Sequence, residues 1–225
     1  MLVPSADIAN GSLVYMVNNR GGGSVAPEQS LSEHPLSKEG FTYLLTGWIN
    51  EISSGPGRLR LHAPVVSYDN GVITGPVRYE LSVNSPTQRV AVAGGGHLAY
   101  EPSLEGLRSA KLTRRQFQED PRMPLERSQY NIEVEQVADS NQPIVTLDLA
   151  GGFEPGLLYE LIYEAQNPVL SGAGMAGIRD AISALRYGVR LNIELAGQIA
   201  SMGIPDITDA MSYGHSQSGR LLRLF

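Results

Sequence analysis

The 225-residue sequence contains no cysteine, which excludes a fold held together by disulfide bonds. A chain of this length buries roughly 70% of the surface that its unfolded form exposes, so it does not need such cross-links. Proteins of several compartments lack cysteine, and the cellular location is therefore left open.

Charged residues are also scarce: they make up 18% of the sequence, and the formal net charge is −6. The arginines are spread out and form no basic stripe, which argues against nucleic acid as a partner. The longest apolar run, from Leu13 to Val17, is far too short to span a bilayer. No group of His, Asp and Glu residues has the spacing of metal ligands, so we predict neither a metal nor another cofactor.

Glycine (25 residues) and proline (14 residues) are plentiful, which favours short strands joined by many turns. We divide the chain into three parts, 1–57, 58–165 and 166–225. In the first part, the continuous apolar run Leu13–Val17 predicts a buried strand of a parallel sheet. The apolar run Phe41–Thr46 predicts a neighbouring strand.

The middle part, 58–165, places apolar residues at every second position, for example from Val77 to Val83 and around Ile132. Such alternation predicts half-buried strands in antiparallel sheets. Turn sequences such as Asn84-Ser85-Pro86 separate these strands. We therefore predict a β-rich insertion between the first and third parts.

The third part, 166–225, has helical spacing followed by a short strand. One apolar helix face is predicted by four residues spaced by three and four, Met175, Ile178, Ile182 and Leu185. A second helix is predicted over 191–199. The run Ala210–Tyr213 predicts a strand, and the apolar residues from Leu221 onwards predict a helix that begins shortly after it.

Between that strand and that helix lies Gly214-His215-Ser216-Gln217-Ser218-Gly219, the pattern of a nucleophile elbow. The chain turns sharply at the serine, so the residues two positions away on either side must be small. Gly214 meets this condition, whereas Ser218 stands where the usual pattern has glycine. We predict Ser216 as the nucleophile and disfavour Ser218, because the residue two positions before Ser218 is not glycine.

An oxyanion hole needs two hydrogen-bond donors close to the nucleophile. The backbone N–H of Gln217 is the first predicted donor, because it follows Ser216 directly. The second is expected in the loop after an earlier strand, where Gly21 and Gly22 follow the first predicted strand. A flexible glycine turn is the alternative interpretation of that loop, and the run Gly94–Gly96 is a weaker competitor within the β-rich part.

None of the four histidines is predicted to be the general base of Ser216. His215 is adjacent to the serine, and its side chain should point away from the base position. His34, His62 and His97 precede the serine, whereas in α/β-hydrolases the acid and the histidine follow it. We therefore expect both groups beyond residue 225, and we expect the 225-residue chain alone to be inactive and prone to aggregation.

The chain resembles a little-characterised family of bacterial serine hydrolases known as "alpha/beta hydrolase domain" proteins. The resemblance covers segments spread over most of the chain, the last two being the most specific: Asn18–Gly21, Gly40–Trp48, Gly151–Gly156, Tyr159-Glu160, Tyr163–Asp180 and Gly214–Arg220. It implies an α/β fold in which a partial α/β-hydrolase core, a mostly parallel sheet with helices, is interrupted by a β-rich insertion. It also implies Ser216 as the nucleophile, and it names no substrate.

The leading functional hypothesis is a carboxylic-ester hydrolase that acts through an acyl-enzyme on a small-molecule or polymeric ester. A non-catalytic binding or scaffold protein is the alternative, since a protein can keep a hydrolase fold after its catalytic activity has been lost. A third hypothesis makes the β-rich part a glycan- or polymer-binding module, because Tyr68, Tyr79 and Tyr100 are expected to be exposed.

Overall fold

The computed structural model describes residues 1–19, 35–55, 57–69, 71–94, 96–187, 197 and 201–225. The chain divides into two compact units. The parallel-sheet unit comprises Met1–Asn50, Ser54–Leu61 and Ser171–Phe225. The antiparallel unit comprises Glu51–Ser53 and His62–Leu170.

Short strands outnumber helices in the described part of the chain. The strands are β1 (Ser12–Val17), β2 (Thr42–Thr46), β3 (Ser67–Tyr68), β4 (Gly71–Val72), β5 (Thr74–Leu81), β6 (Thr87–Ala91), β7 (Glu101–Pro102), β8 (Lys111–Arg115), β9 (Met123–Pro124), β10 (Tyr130–Glu135), β11 (Ile144–Phe153), β12 (Leu158–Gln166) and β13 (Asp209–Gly214). The helices are α1 (Pro35–Lys38), α2 (Leu104–Ser109), α3 (Ala173–Tyr187) and α4 (Gln217–Leu222), with a 3₁₀ turn at Arg127–Gln129.

The parallel-sheet unit contains three parallel strands in the order β13-β1-β2. Val17 at the end of β1 pairs with Gly214 at the end of β13, and Leu13 pairs with Thr42 of β2. The central strand β1 is the continuous apolar run, as expected for a strand covered on both faces. Strand β13 is exposed along most of its length.

Two helices pack against one face of this sheet. Ile178 of α3 and Leu221 of α4 form a buried cluster with Tyr15 and Val17 of β1. The approach of α3 is close at Gly174, where a Cβ atom would lie 2.2 Å from the carbonyl oxygen of Trp48. A larger residue at that position would push α3 away from the sheet.

The antiparallel unit contains two main sheets and a small hairpin. One sheet has the order β5-β12-β8-β9 with β7 also paired to β12, the second has the order β10-β11-β6, and β3 pairs with β4. Exposure alternates along β5, as its sequence predicted. The most deeply buried core residues of the unit include Leu112, Leu147, Phe153, Tyr159 and Leu161.

A charged cluster is buried in the first of these sheets. The side chain of Glu160 on β12 is 4% exposed and accepts hydrogen bonds from Nε and Nη2 of Arg122, at 2.7 and 3.1 Å. Arg115 on β8 is equally buried and donates from Nη2 to Glu80 Oε2 at 2.8 Å. The hydrogen bond from Arg122 lowers the pKa of the Glu160 carboxyl, although burial opposes this shift.

The predicted fold class, an α/β-hydrolase core with a mostly parallel sheet, is wrong. The described residues form mostly antiparallel sheets, and the parallel sheet has only three strands. The part of the chain that was assigned to an insertion, 58–165, supplies nearly all of the longest strands, β5, β11 and β12. Connections such as residues 136–143 between β10 and β11 are too short for the crossover that parallel strands require.

Several individual elements nevertheless lie where their patterns predicted them. The predicted strands at 13–17, 41–46 and 210–213 coincide with β1, β2 and β13, and the predicted apolar helix coincides with α3. The helix predicted over 191–199 lies outside the described residues except for residue 197.

The tyrosines that motivated a polymer-binding module differ in exposure. Tyr68 is 76% exposed. Tyr79 is partly buried, because its ring stacks on Tyr163 with the ring centroids 5.8 Å apart. The Tyr79 hydroxyl also accepts a 2.8 Å hydrogen bond from the backbone N–H of Tyr100. The expected exposure of Tyr79 and Tyr100 is therefore wrong, because both residues are partly buried against the core of the antiparallel unit.

Candidate nucleophile elbow

The chain leaves β13 at Gly214 and enters α4 at Gln217, and it turns at Ser216. Ser216 has φ 57° and ψ −113°, a conformation that residues with side chains rarely adopt. Such a residue costs about 1–3 kcal/mol of strain and persists only where its surroundings enforce it. This strained strand-to-helix turn is the geometry of a nucleophile elbow.

Gly214 is required by the tightness of the turn. A Cβ atom at this position would lie 2.8 Å from the backbone carbonyl carbon and oxygen of Ser218. Because both of those atoms belong to the backbone, no side-chain movement could relieve the contact. The small residue that the motif demands before the serine therefore has a steric cause.

Ser218 occupies the other small position, and its hydroxyl is bound within the turn. Its Oγ accepts a hydrogen bond from the backbone N–H of His215 and donates one to the carbonyl oxygen of His215, both at 2.9 Å. The residue is 1% exposed. A serine at this position thus closes the turn, which glycine could not do, and its engaged hydroxyl is a poor candidate nucleophile.

Two asparagines at the end of β1 connect that strand to its neighbours. The Asn19 side chain accepts a 2.9 Å hydrogen bond at Oδ1 from the backbone N–H of Ser218. The Asn18 carbonyl oxygen accepts a 2.6 Å hydrogen bond from Nε1 of Trp48. These contacts were not predicted from the sequence, in which the only signal is an Asn-Asn pair directly after a buried strand.

Ser216, the predicted nucleophile, is exposed at the surface of the parallel-sheet unit. Ser216 and His215 are both exposed, and Gln217 is partly buried. Among the described residues, Ser216 Oγ has no hydrogen-bond partner. The described part of the chain therefore places no general base against this hydroxyl.

The other candidate site residues either lie outside the described part of the chain or belong to the antiparallel unit. Gly21, Gly22 and His34 lie outside the described residues. His62 and His97 belong to the antiparallel unit, as do the weaker oxyanion candidates Gly94 and Gly96.

The buried phenols of the parallel sheet are structural groups. Burial raises the pKa of Tyr15, whose hydroxyl pairs with Thr46. Burial also raises the pKa of Tyr43, whose hydroxyl donates a hydrogen bond to the sulfur of Met16. Both phenols stay protonated at neutral pH and are unsuited to act as bases.

Neither a metal site nor a membrane span is found in the described structure. Within the described ranges, no three His, Asp or Glu residues are grouped so that they could hold a metal ion. No helix in that part of the chain is both long enough and apolar enough to cross a membrane.

Comparisons with known proteins give no match to a family model, to a curated protein or to a solved structure. The resemblance to bacterial serine hydrolases therefore remains a prediction from sequence motifs. The geometry of the residues around Ser216 is the basis on which a function can be assigned.

Proposed function

We propose that the protein is a serine hydrolase of carboxylic esters, with Ser216 as its nucleophile. The conformation of Ser216, with φ 57° between a strand and a helix, is the observation that carries this proposal. Strained conformations cluster at active sites, and Ser216 differs from the other described positive-φ residues with side chains, which are Asp or Asn, the types that tolerate such a conformation. The strain keeps its Oγ displayed beyond the end of the parallel sheet, where an ester can reach it.

The proposed reaction proceeds in two stages. Ser216 Oγ bonds to the ester carbonyl carbon, its proton passes to a general base, and the carbonyl electron pair moves to the oxygen. The bond to the alcohol then breaks, and the alcohol leaves with the proton from the base. Water hydrolyses the acyl-enzyme in the same way, which releases the acid and restores the serine hydroxyl.

The supporting groups follow from their positions in the chain. The backbone N–H of Gln217 is proposed to bind the developing oxyanion, together with Gly21 or Gly22. The base and its acidic partner are proposed to come from outside the described residues. The exposure of Ser216 is compatible with small esters and with the ester groups of a polymer.

Replacement of the nucleophile tests this function directly. In the full-length protein, expressed from its native reading frame, Ser216→Ala should lower the turnover of p-nitrophenyl esters by up to about 10⁶-fold. Ser212→Ala is the matched control, because Ser212 is an exposed serine on β13 and should leave turnover unchanged.

Two results would contradict the proposal. Turnover that survives in Ser216→Ala would mean that another residue is the nucleophile. A folded wild-type protein without any esterase activity would favour the alternative, a non-catalytic binding or scaffold protein.

A further inference from the structure

Asn18 carries a buried amide that the structure leaves unpaired. The residue is 6% exposed, and neither Nδ2 nor Oδ1 has a hydrogen-bond partner among the described residues. A buried polar group without a partner costs free energy, and such groups in a folded protein call for an explanation. An apolar side chain of similar shape at position 18 would avoid that cost. The presence of an amide there therefore points to a ligand that pairs with it.

The position of Asn18 connects this amide to the elbow. Val17, the preceding residue, pairs with Gly214, which lies two positions before Ser216. The following residue, Asn19, contacts the elbow directly through the backbone N–H of Ser218. Asn18 therefore lies at the same edge of the parallel sheet as the proposed nucleophile.

The backbone of Asn18 is fixed on both sides. Its carbonyl oxygen is held by Trp48 Nε1 at 2.6 Å, and its neighbour Asn19 is held by Ser218 at 2.9 Å. A donor that contributes to catalysis must be held in place before the charge develops, so that it need not reorganise during the reaction. The fixed backbone of Asn18, together with the burial of its side chain, restricts the movement of the Nδ2 donor.

A second buried and unpaired group in the same sheet shows why position matters. Thr42 is 1% exposed, and its hydroxyl also lacks a partner among the described residues. It pairs with Leu13 near the start of β1, at the end of the sheet opposite the elbow. Absence of a partner alone therefore does not mark a ligand-binding group, and the position of Asn18 beside the elbow is the second observation on which the inference rests.

We propose that Asn18 donates a hydrogen bond from Nδ2 to the carbonyl oxygen of the ester that Ser216 attacks. This inference rests on the proposed esterase function. It adds a side-chain donor to the predicted backbone donors, and the hydrogen bond strengthens as negative charge develops on that oxygen. Asn18 is then a catalytic residue, because its amide touches the reacting atoms.

The test is the replacement Asn18→Leu, which keeps the approximate shape and removes the amide. In the full-length protein, kcat for p-nitrophenyl esters should fall by about 10²- to 10³-fold, as for other oxyanion donors. The urea midpoint should stay the same or rise, because two unpaired polar atoms are removed from the interior. Thr42→Val, the matched control, should leave kcat unchanged.

The outcomes separate this inference from the function on which it rests. If Asn18→Leu retains wild-type kcat while Ser216→Ala abolishes turnover, the role of Asn18 is refuted and the esterase function stands. If Ser216→Ala retains turnover, both fail. If Asn18→Leu does not fold, Asn18→Ala replaces it, and an unchanged kcat in that variant overturns the inference equally.

Discussion

The hydroxyl of Ser218 links two backbone groups of His215 across the turn that presents Ser216. A turn held in a strained conformation needs such contacts, because strain persists only where the surrounding structure opposes relaxation. The second serine of the motif, Ser218, therefore has a structural role, and the first, Ser216, is the proposed nucleophile.

Loss of the Ser218 hydroxyl should therefore destabilise the protein. Ser218→Ala removes both hydrogen bonds and leaves the buried end of the turn unpaired, which should lower the free energy of unfolding by about 1–3 kcal/mol. Urea denaturation measures this change, and Ser212→Ala on the exposed face of β13 should show none. A Ser218→Ala variant as stable as the wild type would mean that the hydroxyl does not hold the turn.

The sequence motif was sufficient to predict the turn at Ser216, because the small residue at position 214 and the strand and helix on either side are local features. The contact between Asn19 and Ser218 joins residues 199 positions apart, and no local pattern reports such a pairing. The unpaired amide of Asn18 was invisible for the same reason, since burial depends on how distant segments pack.

At the level of the elements, β12 is the strand on which the larger sheet depends. It pairs with β5 from Tyr159 to Gln166 and with β8 and β7 on its other side. Glu160 of β12 lies directly opposite Glu80 of β5, an arrangement that repels unless cations neutralise it. Arg115 and Arg122 supply that neutralisation.

The lowered pKa of Glu160 predicts a contribution to stability that depends on pH. The carboxyl titrates below its ordinary pKa of 4.5 in the folded state, so the unfolded state binds more protons as the pH falls. The contribution of Glu160 to the free energy of unfolding is complete above the ordinary pKa of 4.5. It is lost as the pH falls through the lower pKa that the carboxyl has in the folded state.

Glu160→Gln should accordingly lower the urea midpoint at pH 7, and the difference from the wild type should shrink below pH ~4.5. Asp180→Asn is the control. Asp180 and Arg179 form an ion pair in which both side chains are exposed, and such a pair contributes little to stability. A constant difference between Glu160→Gln and the wild type from pH 7 to pH 3 would show that ionisation of Glu160 is not involved.

Sequence alternation predicted β5 of this sheet, but it predicted neither the other strands of the sheet nor their order. Strand β12 lies between β5 and β8, neither of which is next to it in the chain. Strand pairing of this kind is set by side-chain packing across the sheet, which period-two alternation does not specify. The predicted fold class is wrong because the elbow motif is local, whereas the antiparallel sheets are built from the middle part of the chain, 58–165, and its immediate continuation.

At the level of the whole molecule, β13 is an edge strand that pairs only with β1 among the described strands. Its side chains Met211 and Tyr213 are 49% and 54% exposed. An uncovered edge with apolar side chains is a template for pairing with another chain. Self-association of the purified protein through this edge is the expected consequence.

A charge on this edge should oppose that association. Met211→Lys should lower the weight-average mass measured by light scattering at high protein concentration, because edge lysines discourage strand pairing. Phe117→Lys adds the same charge at an exposed apolar residue outside the strands and should have no such effect. Equal effects of the two variants would show that net charge, and not the β13 edge, controls association.

Covalent labelling of the folded, full-length protein with a fluorophosphonate is the most direct test of the assignment of Ser216. Displacement of fluoride by an activated serine oxygen leaves a stable phosphonyl group, which peptide mass spectrometry can locate. We predict one adduct on Ser216, absent after heat denaturation and absent in Ser216→Ala. An unmodified Ser216 in the folded protein, or an adduct on Ser218 instead, would contradict the assignment of Ser216 as the nucleophile.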